Sequence, residues 1–130
     1  MEIARQLTEP GLPASPDQPT WRPQEIPAIA FGGMEIRPDS REVIAPSGRV
    51  QLTGREMEVL LVLVESADRV VTRDAIYSEV WGGPMPYRDR AADVYVRRVR
   101  EKLKSLTPDL AYIHTHFGIG YRFWPEPATT

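Results

Sequence analysis

Residues 90–103, with the sequence RAADVYVRRVREKL, have the pattern of a helix with two contrasting faces. Each residue of an α-helix advances about 100° around the axis, so side chains spaced three and four apart share one face. The apolar face consists of Ala92, Val96, Val99 and Leu103. The opposite side consists of Arg90, Asp93, Arg97, Arg100 and Lys104, with Tyr95 and Arg98 at its margins. We therefore expect one side of this helix to pack on a core while the other presents arginines outward.

Charge is unevenly distributed along the chain. The formal net charge is −2, which by itself argues against a nucleic-acid partner. Residues 88–104, however, carry seven basic and three acidic side chains, a net charge of +4, whereas residues 53–81 carry three basic and six acidic ones. Local charge matters more to a polyanion than the total, because the field of a charge decays over about 8 to 10 Å.

An arginine-rich helix of this kind suits the major groove of double-stranded DNA, where arginine binds guanine edges or phosphates. The alternative is a solvated helix face balanced by acidic neighbours. The excess of basic over acidic side chains in residues 88–104 leaves few internal partners for the arginines and favours the DNA-binding interpretation.

Composition excludes several classes of protein. The chain has no cysteine, which excludes disulfides, thiolate metal sites and cysteine nucleophiles. Its 130 residues, 42% of them hydrophobic, suffice for one compact domain. No apolar run approaches the roughly 18 residues of a membrane span, and the N-terminus lacks a signal-peptide core. We therefore expect a soluble, cytoplasmic protein.

Residues 1–28 are predicted to form a proline-rich, flexible arm. They contain six of the thirteen prolines and show no apolar periodicity. Proline removes backbone donors and fixes φ, which favours an extended chain. Trp21 is the one large hydrophobic side chain in this arm. It either rests on the domain surface or stays loose, or it belongs to a partner-binding peptide.

Residues 29–127 form the predicted domain, which begins with four short β-like pieces. Turn residues separate IAF at 29–31, MEIR at 34–37, REVIAP at 41–46 and RVQL at 49–52. Short apolar runs with turn chemistry between them indicate a small antiparallel sheet of four strands.

Three helices are predicted after this sheet. The residues from Thr53 to Glu56 match the S/T-x-x-E capping box that starts a helix. The expected buried stripe of this first helix is Met57, Leu60, Leu61, Val64 and the following Ala67. Residues 69–71 form a short extended link, Thr72 is a cap for a second helix, and the glycines at 82 and 83 end that helix. The arginine-rich helix is the third.

A β-hairpin is predicted after the third helix. Residues 112–116 alternate as a strand, residues 117–120 supply turn glycines, and residues 121–124 run back. The chain is therefore predicted to be an α+β protein: a four-stranded antiparallel sheet, three helices and a C-terminal hairpin beside a basic helix on a helix-turn-helix core.

At this point the sequence resembles the winged-helix effector domain of OmpR/PhoB-type bacterial response regulators. The motifs that carry the resemblance are Leu52-Thr53 with Glu56 and Leu60-Leu61, RVVTR at 69–73, VWG at 80–82, RAADVYVRRVR at 90–100 with Lys102-Leu103, and GIGYRF at 118–123. Their order and spacing match over about residues 29–125. The resemblance implies a winged helix-turn-helix fold and sequence-specific, double-stranded DNA binding in transcription regulation.

The resemblance also implies site residues. Arg97 and Arg98 would enter the major groove, with Arg90, Tyr95 and Arg100 near bases or phosphates. Trp81, Thr115 and Tyr121 would touch the DNA backbone. For Trp81 and Tyr121 the alternative is a core aromatic ring whose polar tip finds a local partner.

Two features depart from the family pattern. The family's wing usually presents an arginine where this chain has Phe117, so Phe117 would pack on sugar edges, wedge at a base step or fold back onto the domain. His116 or Arg122 would then replace the missing cation in part. The family also carries a receiver domain before the effector domain, and here only the proline-rich arm precedes it. The chain is thus expected to be an orphan regulator without that switch or a fragment, and Met1 favours the orphan.

Partners follow from the same resemblance. It implies contacts of the 82–89 loop with RNA polymerase. The alternative is that this loop only connects the second and third helices. It also implies homodimers on direct-repeat sites. The rival hypothesis is a winged-helix protein-interaction module that has lost DNA binding.

Catalytic and metal-binding chemistry is not expected. His114 and His116 share a strand face, but no cysteine or third histidine completes a zinc set. The glycines at 118 and 120 lack the helix and lysine of a phosphate cradle. No nucleophile and base stand at a recognisable spacing, so the sequence predicts no enzyme, metal or cofactor.

Overall fold

The computed structural model describes residues 28–31 and 33–128. In chain order the elements are β1 (Ile29–Phe31), β2 (Met34–Arg37), β3 (Glu42–Ala45), β4 (Gly48–Gln51), α1 (Gly54–Glu65), β5 (Val70–Thr72), α2 (Arg73–Trp81), α3 (Ala91–Leu106), β6 (Leu110–His116) and β7 (Gly120–Pro127). The predicted α+β fold is confirmed. The predicted arm over 1–28, Trp21 included, lies outside the described residues except for Ala28.

The first four strands form the expected antiparallel sheet in the order β1-β2-β3-β4. Side chains alternate between its faces: Met34, Ile36 and Val43 are buried, while Glu35 and Arg37 are paired on the other face. This alternation places one face of the sheet on the core and leaves the other charged.

The capping box at the start of α1 is confirmed. The Thr53 hydroxyl accepts from the Glu56 N–H at 3.2 Å, and the Glu56 carboxylate accepts from the Thr53 N–H at 2.9 Å. The buried face of α1 is wider than the predicted stripe. Val59 and Leu63 are fully buried, whereas Leu61 is only partly buried. The reason is that α1 packs against α2, α3 and β7, so more than one side of it faces apolar neighbours. Ala67 is also only partly buried and is not part of the helix, because α1 ends at Glu65.

The extended link at 69–71 is a strand in the structure. β5 pairs with β7, and the second sheet has the order β5-β7-β6 rather than being a two-stranded hairpin. At Gly120 a Cβ atom would lie 2.0 Å from the Val71 carbonyl oxygen. The close approach of β5 therefore requires glycine at this position.

Thr72 caps α2 as predicted, accepting from the Ala75 N–H at 3.1 Å. α2 ends before Gly82, whose φ of 82° favours glycine. No helix in the described part of the chain combines the length and the apolar character that a bilayer crossing requires.

Candidate nucleic-acid interface

The predicted apolar stripe of α3 is buried. Ala92, Val96, Val99 and Leu103 each expose 2% or less of their surface, and Leu106 extends the stripe by another turn. These side chains pack toward α1, α2, β3, β4 and β6. The helix begins where the Asp89 carboxylate accepts from the Ala91 N–H at 2.7 Å. The core thus fixes both the axis and the rotation of α3.

The outer side of α3 carries exposed cations. Arg97, Arg98 and Lys104 are exposed, and the side chain of Arg90 is 74% exposed. At about 100° per residue, Arg90, Arg97 and Lys104 lie roughly opposite Val99. These four cationic residues, Arg90, Arg97, Arg98 and Lys104, are called the cationic ridge below. The acidic residues on the same outer side are Glu101, which is exposed, and Asp93, which contacts Arg90.

Arg98 packs on the first of three aromatic rings that contact one another in a row. Its guanidinium lies 5.0 Å from the Tyr95 ring centroid, and Tyr95 meets Trp81 edge-on at 5.5 Å. Trp81 stacks on Tyr77 at 5.2 Å, and Arg55 covers Trp81 at 5.2 Å. Trp81, the middle ring of the row, is half-buried. The Tyr95 ring, which packs against Trp81, therefore limits the positions of Arg98.

Asp93 gathers three partners at the start of α3. The Tyr121 hydroxyl donates to Asp93 Oδ1 at 2.6 Å, while Arg73 and Arg90 lie 3.4 and 3.3 Å from Asp93 Oδ2. Burial, with the hydrogen bond to Asp93, raises the pKa of Tyr121 to about 12. The polar tip of Tyr121 thus has a local partner, as in the alternative considered for it from the sequence.

Arg100 and Thr115 face each other. Arg100 Nη2 donates to Thr115 Oγ1 at 2.8 Å, and the guanidinium lies 5.8 Å from the Tyr121 ring centroid. Arg100 Nε is buried without a hydrogen-bond partner among the described residues. Arg100 differs from the ridge because it lies on the side of α3 that meets β6.

Lys102 is also held inside the molecule. Its ammonium lies 2.7 Å from Glu56 Oε1, and Glu56 is only 3% exposed. Burial alone would raise the pKa of Glu56, but hydrogen bonds from Lys102 and Thr53 outweigh it and hold the pKa below its ordinary value. The expectation that the basic side chains of this segment have few internal partners is therefore wrong for Lys102, Arg100 and Arg90. The partners of Arg100 and Lys102, Thr115 and Glu56, lie outside residues 88–104, so the charge sum over that segment misses them. The sum counts Asp93 but does not show that it contacts Arg90.

The hairpin of β6, residues 117–119 and β7 is called the wing below. At its tip Phe117 is 90% exposed and Ile119 is 58% exposed. The Ile119 N–H donates to the His116 carbonyl at 2.9 Å, which closes the turn, and Gly118 has a φ of 76°. Of the three placements considered for Phe117, folding back onto the domain is wrong, because its ring is almost fully exposed at the tight turn.

Arg122 is not free to replace a wing arginine. It contacts Asp68 at 2.9 Å and Glu126 at 3.0 Å, and its Nε donates to His116 Nε2 at 3.4 Å. His116 is half-buried beside Arg122. His114 Nε2 lies 2.7 Å from the Trp124 carbonyl. Within residues 28–31 and 33–128, no cluster of three His, Asp or Glu side chains stands ready to hold a metal.

A groove of about 270 Å³ separates the start of α3 from the wing. Arg73 and Arg90 line it from the helical side, and Phe117 and Ile119 line it from the wing turn. Arg73 and Ile119 were not among the site residues expected from the sequence. The available signal for Arg73 was its place at the end of the RVVTR motif at 69–73, directly after the Thr72 cap.

A profile of the family described as "Transcriptional regulatory protein, C terminal" matches residues 47–123, more than half of the chain. The chain belongs to this family. The members are domains of transcription regulators and not enzymes, and the OmpR/PhoB-type resemblance is confirmed.

Solved structures share the fold. The DNA-binding domain of Klebsiella pneumoniae RstA, solved in complex with the RstA box, is 30% identical with a TM-score of 0.67, covering 76% of this chain and 98% of that one. The DNA-binding domain of Escherichia coli CpxR is 26% identical with a TM-score of 0.65, covering 75% and 96%. The Thermotoga maritima response regulator DrrB, an OmpR/PhoB homologue, is 31% identical with a TM-score of 0.62, covering 75% of this chain and 44% of DrrB.

Among curated proteins, the transcriptional regulatory protein SrrA of Staphylococcus aureus is 34% identical over 102 residues, which is 78% of this chain. The chain spans only 42% of the length of SrrA.

Proposed function

We propose that this chain is a sequence-specific, double-stranded DNA-binding transcription regulator that lays α3 in the major groove. The observation that carries the proposal is the cationic ridge: it projects from a helix whose opposite stripe is almost completely buried. An α-helix with its side chains is about 10 to 12 Å wide, and the major groove is about 12 Å wide. A rigidly held helix can therefore enter the groove with its arginines leading.

We assign roles within this interface by exposure. Arg97 and Arg98 would read base edges, because they are exposed and free of acidic partners in the described structure. Arg90 and Lys104 would contact phosphates on either side, and Tyr95 would support Arg98 through its ring. Base contacts of this kind specify sequence, whereas phosphate contacts fix the register of the helix.

The remaining expected residues would act at the edges of the interface. Trp81 would touch the backbone next to Tyr95, and Tyr121, Thr115 and His116 would lie where the wing approaches the helix. Arg100 would reach DNA only after leaving Thr115, so we propose that it acts mainly by joining α3 to the wing.

The solved complex of the Klebsiella pneumoniae RstA domain with its DNA box supports this proposal, because that domain has the same fold and 30% sequence identity. The DNA-binding unit would be residues 29–127, preceded by the arm of residues 1–28. Such a regulator would act in the bacterial cytoplasm, where the DNA is, and would have no catalytic activity of its own.

Two further partners are proposed. Residues 82–89 form an exposed loop in which Tyr87 is 87% exposed, and it would contact RNA polymerase. Homodimers would form on direct-repeat sites. The rival function, a protein-interaction module, is favoured by one observation, the apolar wing tip with Phe117 exposed.

Selection of bound sites from a pool of random duplexes tests the proposal. A DNA-binding regulator should enrich a defined sequence, in two direct repeats if it dimerises. Arg98→Ala should lose about 1 to 3 kcal/mol of discrimination between selected and random duplex. Arg49→Ala is the matched control, since it removes an equally charged, exposed side chain from β4. Failure to enrich any sequence, with equal binding of all duplexes by both variants, would leave the protein-interaction module as the better account.

A further inference from the structure

The wing tip differs chemically from the rest of the proposed interface. The helical side presents arginines, whereas the two most exposed side chains of the tip, Phe117 and Ile119, are apolar. Leaving a phenylalanine ring 90% exposed on a tight turn costs hydration free energy without any compensating contact inside the domain. Together with the exposed Ile119, this ring offers an apolar contact to a partner outside the domain.

The groove between α3 and the wing indicates what covers the Phe117 side chain. Arg73 and Arg90 line one side, and Phe117 and Ile119 line the other. The two grooves of B-DNA are separated by a single sugar-phosphate backbone. With α3 in the major groove, the backbone strand that runs past Arg73 and Arg90 separates that groove from the minor groove. The wing tip, across the same strand, then reaches the minor groove.

We propose that Phe117, with Ile119 beside it, is a minor-groove wedge that inserts at a base step and selects flexible steps there. This inference rests on the proposed DNA-binding function. Apolar side chains, phenylalanine and isoleucine among them, insert between base pairs from the minor groove and unstack them. Pyrimidine–purine steps such as TA and CA unstack most easily, so a wedge imposes a sequence preference without any hydrogen bond to a base.

The fold keeps the wedge stiff enough for this task. The Ile119 N–H to His116 carbonyl bond closes the turn behind Phe117. Tyr121, which follows Gly120 in β7, is anchored to Asp93 of α3 at 2.6 Å. The tip is therefore held at a fixed distance from the cationic ridge, and the preferred step should lie at a fixed number of base pairs from the bases that α3 contacts.

Selection from random duplexes by the unchanged chain, Phe117→Ala and Phe117→Arg tests the wedge. The unchanged chain should enrich a pyrimidine–purine step at one fixed position beside the α3 sequence. Phe117→Ala should enrich the same α3 sequence without that step and bind the selected duplex about tenfold more weakly. Phe117→Arg should replace the step by a preference for a narrow, A·T-rich minor groove. Val70→Ala, which trims another exposed apolar side chain at the end of β5 away from the wing tip, is the matched control and should change nothing.

A second readout reports unstacking directly. The selected duplex is prepared with 2-aminopurine at the preferred step, where unstacking raises fluorescence. Fluorescence should rise with the unchanged chain and with Val70→Ala but not with Phe117→Ala. An enriched α3 sequence with identical flanks and unchanged 2-aminopurine fluorescence for all variants would overturn the wedge and leave the proposed function standing. An effect of Phe117→Ala on half-site spacing alone would assign the ring to a second protomer and also overturn it. A selection that enriches no sequence at all would contradict both the proposed function and the wedge.

Discussion

The Tyr121 hydroxyl donates a 2.6 Å hydrogen bond to Asp93, joining the wing to the helix that carries the cationic ridge. Hydrogen bonds to a charged group contribute about 1.5 to 3 kcal/mol. Because Arg73 and Arg90 also contact Asp93, this carboxylate fixes the relative position of α2, α3 and β7.

A double-mutant cycle of Tyr121→Phe and Asp93→Ala should show this coupling. We expect each single variant to lower the free energy of unfolding and the interaction energy of the pair to be about 1 to 2 kcal/mol. Urea unfolding of the four proteins measures it. Additive effects of the two substitutions would show that the bond does not stabilise the fold.

The raised pKa of Tyr121 predicts a pH dependence. Its pKa is about 12 in the folded chain, against about 10 for an unfolded tyrosine. The stabilisation is therefore complete below about pH 10 and is lost as the pH rises through the folded pKa near 12. Absorbance titration of tyrosinate should show a transition near pH 12 that Tyr121→Phe lacks. Superimposable titration curves of the unchanged chain and Tyr121→Phe would contradict the assignment of the raised pKa to Tyr121.

The Glu56–Lys102 pair predicts acid sensitivity of the opposite sign. The folded pKa of Glu56 lies below the ordinary value of 4.5, so the stabilisation is present above pH 4.5 and is lost as the pH falls through the folded pKa. Unfolding free energies of the unchanged chain and Glu56→Gln should differ near neutral pH and converge in acid. A difference that does not change with pH would assign the effect to packing instead.

Removing Lys102 tests the same pair from its other side. Lys102→Ala leaves the buried Glu56 carboxylate with only its Thr53 contacts and should cost about 1 to 3 kcal/mol at neutral pH. Lys104→Ala, on the exposed side of α3, is the matched control and should change stability little. Equal stabilities of the two variants in urea would contradict the account of the pair.

Gly120 should tolerate no side chain. A Cβ there would lie 2.0 Å from the Val71 carbonyl oxygen, so Gly120→Ala must push β5 away from β7. We expect a loss of about 2 kcal/mol or more in thermal or urea unfolding. Gly54→Ala in the first turn of α1 is the control, because its Cβ would meet only the mobile end of Arg41 at 3.3 Å. Equal tolerance of both substitutions would show that β5 is not held against β7.

Local patterns predict much of this fold, and long-range contacts account for what they do not predict. The Thr53 capping box and the apolar stripe of α3 depend on residues within one or two helical turns, so periodicity suffices to find them. The pairing of β5 with β7 joins Val71 to Tyr121, and neither segment alone predicts it.

The same distinction applies to the candidate site. Helical periodicity places Arg97 and Arg98 on the outside of α3. It does not reveal that Arg100 turns to Thr115 or that Lys102 turns to Glu56, because those partners lie 15 and 46 residues away in the sequence. The exposure of Phe117 likewise depends on how the closed turn sits on the completed domain.

The most direct test of the central claim, that the cationic ridge binds DNA, compares two double variants that each remove two positive charges. Arg97→Ala/Arg98→Ala removes the two central arginines of the ridge. Arg37→Ala/Arg49→Ala removes two exposed arginines, paired with Glu35 and Glu42, from the N-terminal sheet. Fluorescence anisotropy with the selected duplex at several salt concentrations measures both affinity and its salt dependence. We predict that the ridge variant loses at least about a hundredfold in affinity and has a shallower salt dependence, while the sheet variant binds as the unchanged chain does. Equal losses in both variants, or no loss in the ridge variant, would contradict the account.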